Sequence, residues 1–245
     1  PHQSKKILKS WADNTWDTGI LFGTVAGKRG DTTVEVTTYR SERYDESSRK
    51  PDVEFGESID GDLSRRDFTV NAMALELTGA APEFIDPYGG LDDLVKKVLR
   101  TPVSAEQSFS DDPLRMMRAA RFASQLDFEI DPEVSAAMSA MAGRISIISA
   151  ERVRDEFIKL LMSPRPRIGI SILVESGLAD LVLPEIPKLK LEIDEHHHHK
   201  DVYEHSITVL EQAIGQEERL GGPNLVIRLA ALLHDIGKPK TRNLI

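Results

Sequence analysis

A long run of helical patterning restricts the fold most, and it extends from residue 91 to the end of the chain. Apolar residues recur there at spacings of three and four in segments such as 113–126, 149–163, 202–214 and 224–237. Proline, glycine or serine separates these segments, and no fixed period relates them. The pattern predicts an irregular array of helices rather than a repeat protein.

The first ninety residues predict a small mixed structure. Alternation around "KRGD" predicts a β-hairpin at 19–40, whereas the polar segment 41–62 predicts an irregular loop. Residues 63–77 predict a helix that begins at Ser64, and 82–90 predict a short strand followed by a turn. Because these elements leave an incomplete sheet, we expect an α+β chain whose N-terminal domain is only partly present.

Composition narrows the class of protein. With 245 residues, 40% hydrophobic and 29% charged, the chain is long enough for one large or two modest domains. It has no cysteine, which rules out disulfides and thiolate metal sites and agrees with a cytoplasmic location. No apolar run is long enough to cross a membrane. The net charge of −9 disfavours a uniformly basic nucleic-acid surface but leaves room for a local basic groove.

The segment "SFSDDPLRMMRAARF" joins two carboxylates to a ladder of arginines. Asp112 precedes Pro113, which suits the start of a helix, and Asp111 would favour the positive end of the helix dipole. The arginines follow at spacings of three, at Arg115, Arg118 and Arg121. In the local interpretation these residues are a helix cap and a solvated helix face. The motifs in the rest of the chain are needed to choose between this interpretation and a functional one.

Two other polar patterns also have a local and a functional interpretation. Glu35 lies in a strand of β-branched residues, where it is either an edge residue in water or a carboxylate that organises a metal ion. Asp67 and Asn71 are four residues apart and would face the same way on a helix, with Arg65 and Arg66 in its first turn. Arginine opposes the dipole at a helix start, so this pair either meets an anion such as phosphate or is simply exposed.

Four motifs occur in a fixed order: "SRRDFTVNAMAL", "IDPYGGLDDL", "DDPLRMMRAARF" and "ERVRDEF". In this order and at these intervals they closely resemble the class II tRNA nucleotidyltransferases. That family includes the CCA-adding enzymes and the related bacterial poly(A) polymerases, and it belongs to the polymerase-beta superfamily. The resemblance implies an incomplete polymerase-beta-like nucleotidyltransferase head at 1–90. It also implies an all-helical neck and body at 91–190, which would select the nucleotide and bind RNA.

In this family a motif usually written EDxxR, at the start of a neck helix, serves as a protein template for incoming CTP or ATP. The resemblance assigns Asp111, Asp112 and Arg115 to nucleotide binding, with aspartate in place of the family's first glutamate. A carboxylate accepts from an exocyclic amine and arginine donates to base acceptors, a pattern that uracil and guanine do not match. Arg118 and Arg121 are expected to face phosphate or to pack the helix.

The resemblance also implies roles in the head. It assigns Arg66, Asp67 and Asn71 to the ribose and triphosphate, and Glu35 to a third carboxylate of a two-magnesium site. "DPYGG" would be the joint between head and neck, where glycine permits unusual backbone conformations. The family's glycine-rich strand-turn, with the DxD pair that follows it and holds Mg²⁺, does not occur in this sequence. We therefore expect the chain by itself to be inactive in nucleotide addition.

A second resemblance lies at the C-terminal end. "VYEHSITVL" followed by "LAALLHDIGKPKT" is similar to the HD superfamily of metal-dependent phosphohydrolases. It implies the start of an HD domain at 191–245, with a divalent metal ion of unassigned identity at His205, His234 and Asp235, because neutral imidazoles and a carboxylate suit an ion that activates water. The alternative is a core helix with a satisfied histidine. "HHHH" at 196–199 is expected to be a native loop, solvated or with some metal affinity.

These resemblances imply three functions. The first is addition of CCA to tRNA 3′ ends from CTP and ATP with Mg²⁺, and the second is a poly(A) polymerase of the same family. The third is an HD-type phosphohydrolase or phosphodiesterase that uses the head as a scaffold. The HD segment favours the first function, because such domains are typical of some bacterial CCA-adding enzymes.

Overall fold

The structure is a computed structural model that describes residues 2–17, 20, 23–45, 48–55, 58–191 and 202–241. The chain divides into two compact units, Pro1–Gly90 and Leu91–Ile245. No helix in the described ranges has the length and apolar character that crossing a membrane requires. The "HHHH" run and the domain boundary expected at residue 191 lie in or at the edge of a stretch outside the described residues.

The first unit mixes short helices with antiparallel strands. Its elements in chain order are α1 (His2–Trp11), β1 (Asn14–Trp16), β2 (Thr24–Arg29), β3 (Thr32–Thr37), β4 (Arg40–Asp45), β5 (Ser48–Phe55), α2 (Ile59–Ser64), a 3₁₀ turn (Thr69–Asn71), β6 (Ala74–Glu76) and β7 (Glu83–Ile85). With the helical second unit, this arrangement confirms the α+β prediction.

The predicted hairpin is formed by β2 and β3, and β1 pairs antiparallel with the other edge of β2. A two-residue turn joins the hairpin strands, and Gly30 takes a φ of +54 there. Helix α1 packs on β2 at Gly27, where a Cβ would lie 3.0 Å from the Cβ of Ala12 and 3.4 Å from Cδ2 of Leu8. Glycine at this position therefore lets the helix approach the sheet.

Two predictions for the first unit are wrong. Segment 41–62 is not an irregular loop, because most of it forms the antiparallel pair of β4 and β5 and the start of α2. Its strands are polar, and strand patterning is recognised mainly from apolar alternation. Segment 63–77 is not one helix: α2 ends at Ser64, a 3₁₀ turn covers Thr69–Asn71, and β6 begins at Ala74.

The "DPYGG" segment forms a tight turn after β7. An Asp86 carboxylate oxygen accepts a hydrogen bond from Gly90 N at 2.6 Å. Gly89 takes a φ of +71, in the left-handed region. A Cβ on Gly90 would lie 2.2 Å from the carbonyl oxygen of Thr69, so no side chain fits there. Both glycines are thus required by the backbone.

The second unit is helical, with one short parallel strand pair. Its elements are α3 (Gly90–Lys96), β8 (Val98–Leu99), α4 (Ala105–Asp111), α5 (Leu114–Leu126), β9 (Glu129–Ile130), α6 (Pro132–Met141), a 3₁₀ segment (Ala142–Ile147), α7 (Ala150–Leu161), α8 (Pro166–Glu175), α9 (Leu178–Val182), α10 (Glu185–Lys188), a 3₁₀ turn (Leu189–Leu191), α11 (Val202–Ile214), a 3₁₀ turn (Glu217–Leu220), α12 (Leu225–Leu233) and α13 (Lys238–Thr241).

Helix α5 is the centre of this unit. Its apolar face, which includes Met116, Met117 and Ala120, is fully buried and packs against α7 and α8. Gly169 on α8 allows the closest approach, because its N–H donates to Ser124 Oγ at 2.8 Å and a Cβ there would lie 2.4 Å from the same atom. The arginine ladder therefore belongs to a core helix, and only part of it faces water.

A buried ion pair attaches α12 to the C-terminal end of α7. Arg228 is 3% exposed, and its guanidinium donates to both carboxylate oxygens of Glu217 at 2.7 Å. Its Nη1 also donates to the carbonyl oxygens of Leu161 and Ser163, each at 2.7 Å. The hydrogen bonds from Arg228 to Glu217 lower the pKa of Glu217 below its ordinary value, against the opposing effect of burial. The helices expected to start the HD domain are thus joined to the preceding helices through satisfied buried polar groups.

Candidate nucleotide-binding and metal sites

The acidic pair lies at the junction of α4 and α5. Asp112 ends α4 in an extended conformation, and its Oδ1 accepts a hydrogen bond from Leu114 N at 3.1 Å. Pro113 already has helical angles, and α5 begins with the next residue. The predicted helix-start contact of Asp112 is therefore present, but it uses only one of the two carboxylate oxygens.

The second oxygen of Asp112 connects this junction to α7. Arg152 donates to Asp112 Oδ2 at 3.1 Å, and the two side chains are 43% and 25% exposed. Arg115, which is buried, donates from Nη1 to Ser108 Oγ at 2.9 Å and to the Ser108 carbonyl at 3.3 Å. The carboxylate and the guanidinium are each held by other elements of the same unit, so their directions are fixed before any ligand arrives.

Arg121 packs inside the protein instead of facing water. Its Nε donates to Glu156 on α7 at 2.6 Å, with both side chains at least nine-tenths buried, and its Nη1 donates to Gln125 at 2.7 Å. Its guanidinium also stacks 4.0 Å from the ring centre of Phe122, and that of Arg118 lies 5.6 Å from the same centre. The prediction of a packing role is confirmed for Arg121.

Asp111 is directed differently from its neighbour. Its carboxylate accepts from Gln107 Nε2 at 2.6 Å, across one turn of α4. Since α4 ends at Asp111, this carboxylate stands at the negative end of a helix dipole rather than at the positive end that the sequence suggested. Among the predicted residues of the motif, Asp112 and Arg115 have the more strongly fixed positions.

In the first unit, Asp62 organises the two arginines of "SRRDFTVN". It is 4% exposed and accepts from Arg65 at 2.6 Å and from Arg66 at 2.9 Å. Burial would raise the pKa of Asp62, but these two bonds outweigh it and hold the pKa below its ordinary value. Sequence reasoning missed Asp62, although its spacing of three and four before the arginines was a usable signal.

Asp67 and Asn71 are in contact, as their spacing predicted, but in a turn. Asp67 Oδ1 accepts from Phe68 N at 2.9 Å and from Asn71 Nδ2 at 3.0 Å. Asp67 is 8% exposed, so its carboxylate is oriented by these bonds inside the unit. The same spacing that suits a helix face is satisfied here by a side chain that closes a turn.

Glu35 is exposed on β3, opposite Ala26 of β2. Among the described residues it belongs to no group of three ligating side chains, since the one such group found lies in the second unit. The residues present therefore do not assemble the magnesium site expected for the head, and no catalytic step through Mg²⁺ can be derived from this chain.

His205, His234 and Asp235 do come together. One ligand atom from each lies within 4.8 Å of the others. Nε2 of His234 is 3.2 Å and Nε2 of His205 is 3.8 Å from the same Asp235 oxygen, Oδ2, which Lys238 Nζ also approaches to 2.8 Å. Two of the ligands flank the end of α12, and the third lies on α11, which packs against it.

This cluster fits a divalent metal ion. Nδ1 of His234 lies 2.8 Å from the Ala231 carbonyl, which can only accept, so Nδ1 is the donor there and Nε2 is the nitrogen that faces the cluster. Such a backbone bond orients a ligating imidazole toward its metal. Two nitrogens and one oxygen suit a first-row divalent ion with open positions for water. Sequence reasoning did not select Lys238. Its ammonium group lies 2.8 Å from Asp235 Oδ2 and neutralises the carboxylate that the ion would otherwise neutralise.

Comparison with protein families gives three matches along the chain. Residues 1–100 match the "Poly A polymerase head domain", and 127–189 match the "Probable RNA and SrmB- binding site of polymerase A". Residues 202–244 match the "HD domain". These matches follow the order of the two resemblances drawn from the sequence motifs.

Curated relatives are tRNA nucleotidyltransferases. The CCA-adding enzyme of Lactobacillus johnsonii is 42% identical over 183 residues, which are 74% of this chain and 44% of that enzyme. The A-adding tRNA nucleotidyltransferase of Deinococcus radiodurans is 41% identical over 189 residues, 75% of this chain and 42% of the relative. The chain thus spans less than half the length of these two relatives.

Solved structures agree with the sequence matches. The Bacillus stearothermophilus CCA-adding enzyme in complex with CTP is 31% identical with a TM-score of 0.64, covering 91% of this chain and 53% of that one. A CCA-adding enzyme in apo form II has a TM-score of 0.72 at 24% identity, covering 100% of this chain and 56% of that one, which shows likeness of fold. The chain therefore belongs to the family of tRNA nucleotidyltransferases and bacterial poly(A) polymerases, and its C-terminal part belongs to the HD domains.

Proposed function

We propose that this chain supplies the nucleotide-selecting part of a cytoplasmic enzyme that adds C, C and A to the 3′ end of tRNA from CTP and ATP. The observation that carries this proposal is the double anchoring of Asp112 and Arg115 at the start of α5. Leu114 N and Arg152 hold the Asp112 carboxylate, and Ser108 holds the Arg115 guanidinium. A binding site for a base edge needs such fixed donors and acceptors, because a loose pair discriminates poorly.

The chemistry of selection follows from the two side chains. The Asp112 carboxylate would accept from the exocyclic amine that cytosine and adenine share, and the Arg115 guanidinium would donate to the adjacent ring acceptor. Uracil and guanine offer a carbonyl where an amine is needed and would leave a carboxylate facing an acceptor. One protein pair can therefore accept both C and A and reject U and G.

In the first unit, we propose that the arginines and the turn of Thr69–Asn71 bind the sugar and phosphates of a nucleotide. Arg66 is half exposed although it bonds to Asp62, and its charge is suited to a triphosphate. Asp67 and Asn71 are proposed to act together on the ribose, Asp67 by holding Asn71 and Asn71 by contact. Their mutual bond at 3.0 Å orients the amide of Asn71, so this amide rather than the buried carboxylate is the group expected to meet the ligand. Arg118 is proposed to meet phosphate.

Equilibrium binding tests this selection without requiring catalysis. We expect the chain to bind CTP and ATP more tightly than UTP and GTP, and Arg115→Ala to remove most of that preference. Each base-edge contact is worth roughly 1–3 kcal/mol, or about ten- to a hundredfold. Arg154→Ala, which removes an exposed arginine of α7, is the matched control. Equal affinity for all four nucleotides in the unsubstituted chain would contradict the proposal.

Product analysis separates the related activities. An enzyme that contains this chain together with a DxD-bearing segment is expected to extend tRNA lacking its 3′ end by C, C and A only. Long tails made from ATP alone on any RNA would identify a poly(A) polymerase. Addition of A only to tRNA that already ends in CC would identify an A-adding enzyme, like the Deinococcus relative.

We propose a second, hydrolytic function for the HD segment, supported by the cluster of His205, His234 and Asp235. A divalent ion bound there would supply an activated water for attack on a phosphate ester. The protein's own contribution is to orient His234 through its backbone bond and to set the charge of the site through Lys238.

Metal analysis tests this second proposal. The chain is expected to bind Mn²⁺ or another first-row divalent ion, and His234→Ala to lose most of that binding. His2→Ala, which removes an exposed histidine from α1, is the control. Equal metal content in the unsubstituted chain and in His234→Ala would remove the claim.

A further inference from the structure

The second unit contains a groove that none of the proposed functions uses. Its volume is about 590 Å³, within the range of ligand-binding sites. The floor is apolar and is formed by Phe128, Ile130, Met138, Ile168 and Ile172. None of the residues that line the groove belongs to the acidic-arginine motif at the start of α5 or to the histidine cluster of α11 and α12.

The shape of the groove follows from two helices. On α6 it is lined by residues at spacings of three and four, from Ser135 to Ser139, and on α8 by Ile168, Ile172, Glu175 and Ser176. Both sets are single helix faces. The α8 face covers two helical turns, or about 12 Å. A groove bordered by two helix faces, with apolar residues repeating at such spacings, has the form in which an amphipathic helix is recognised.

Charges around the groove select the kind of helix. Asp127, Glu129 and Glu175 border it, against one cation, Lys97. Arg165 pairs with Asp127 at 3.0 Å, while Glu129 and Glu175 make no ion pair within the described part of the chain. The rim therefore offers two carboxylates without an ion pair, in excess over the single cation Lys97, beside an apolar floor, which complements lysine or arginine beside leucine-like side chains.

The same charges argue against RNA as the occupant. Apart from Lys97, every residue that lines the groove lies within the segment matched to an RNA-binding family, 127–189. RNA is held mainly through its phosphates by lysine and arginine. Glu129 and Glu175 would repel phosphates, so any RNA contact of this segment must use another surface.

We propose that this groove binds a basic amphipathic α-helix of a partner protein. The apolar face of that helix rests on Ile168, Ile172 and Met138, and its basic residues meet Glu129 and Glu175. The border of the groove at Lys97 and Asp127 has a fixed backbone, because both residues terminate helices with φ of +58 and +59 and Glu129 N donates to the Lys97 carbonyl at 2.8 Å.

The test uses a designed peptide as probe: a 14-residue helix with leucine at every third or fourth position and lysine elsewhere, carrying a fluorescent label. Its binding to the whole chain is measured by anisotropy. Replacing Glu129 and Glu175 by lysine is expected to weaken binding about tenfold, since two exposed ion pairs are reversed. Glu106→Lys with Glu133→Lys, two exposed glutamates outside the groove, is the matched control and is expected to change binding by less than about twofold.

Three outcomes would overturn the proposal. One is a failure of the lysine peptide to bind any better than the same peptide with glutamate in place of lysine. Another is an equal loss in the groove variant and in the control, which would mean attraction to the net negative charge alone. The third is binding of a labelled short oligoribonucleotide to the chain in the absence of peptide, with that binding lost in Ile172→Asp, which would make RNA the occupant. Ile172→Asp, at a half-buried position, provides a second variant, and it is expected to abolish binding while circular dichroism stays unchanged.

Discussion

The buried pair of Arg228 and Glu217 gives the sharpest test of what holds the second unit together. Arg228→Met keeps much of the side chain's volume but removes four hydrogen bonds, each of 2.7 Å. It leaves Glu217, whose side chain is 6% exposed, without its cation. Removing one partner of a buried ion pair typically costs about 3–5 kcal/mol, because the remaining charge stays desolvated. We expect a loss of about 4 kcal/mol in the free energy of unfolding at pH 7.

The dependence of this loss on pH follows from Glu217. In the parent chain the pKa of Glu217 lies below its ordinary value, so its contribution to stability is present at neutral pH and is lost as the pH falls through the folded pKa. In the variant, burial without the arginine would raise the pKa of Glu217. The carboxyl group would then take up a proton as the pH falls, which removes the free-energy cost of a buried, unpaired charge. The difference between parent and variant should therefore shrink between pH 7 and pH 4.

Urea unfolding followed by far-ultraviolet circular dichroism measures the loss, and hydrogen exchange on peptides from α7 and α12 locates it. Arg154→Met, which breaks an exposed pair with Asp155, is the control and should change stability little. The double variant Arg228→Met with Glu217→Leu should recover most of the loss, because no buried charge remains. A loss below about 1 kcal/mol, or an equal loss at pH 4 and pH 7, would refute this account.

Three further predictions concern other contacts. Gly169→Ala should cost about 1–3 kcal/mol in urea unfolding because a methyl group there overlaps α5, whereas Gly143→Ala, with open space around it, should be tolerated. Lys238→Gln should tighten Mn²⁺ binding about two- to tenfold in calorimetry because it removes a cation that competes for Asp235, and unchanged affinity would refute that competition. Asp62→Asn should destabilise the first unit at pH 7, and this loss should shrink as the pH falls through the lowered pKa of Asp62, because the carboxylate's contribution to stability disappears there.

Much of the fold could be predicted from local patterns. The hairpin of β2 and β3 and the helices α5, α7, α11 and α12 follow from apolar periodicity and from proline or glycine at their ends. The pair of β4 and β5 could not, because its residues are polar and carry no apolar alternation. Residues 63–77 misled for another reason: Asp67 and Asn71 have helical spacing, but their side chains close a turn.

For the candidate sites, the sequence proposed binding and ligating residues, but most of the side chains that hold those residues in place were not predicted. His205, His234 and Asp235 follow a recognisable pattern, and the structure places them together. Arg152, which holds Asp112 from 40 positions away, carries no local signal, whereas Asp62 has one in its spacing of three and four before Arg65 and Arg66. A side chain that supports another residue can be recognised only when the three-dimensional contact is known. Local sequence spacing does not reveal contacts between residues that are tens of positions apart.

The ion pair of Arg121 and Glu156 has a consequence for protein engineering. The two residues are 35 positions apart and belong to different motifs, yet each is the buried counterion of the other. A chimera of two homologous enzymes with its crossover between α5 and α7 would inherit the arginine from one parent and the carboxylate from the other. Such a junction succeeds only when both parents use the same pair, whereas a crossover after α7 carries the pair intact. Recombination libraries should therefore treat residues 114–161 as one exchangeable block.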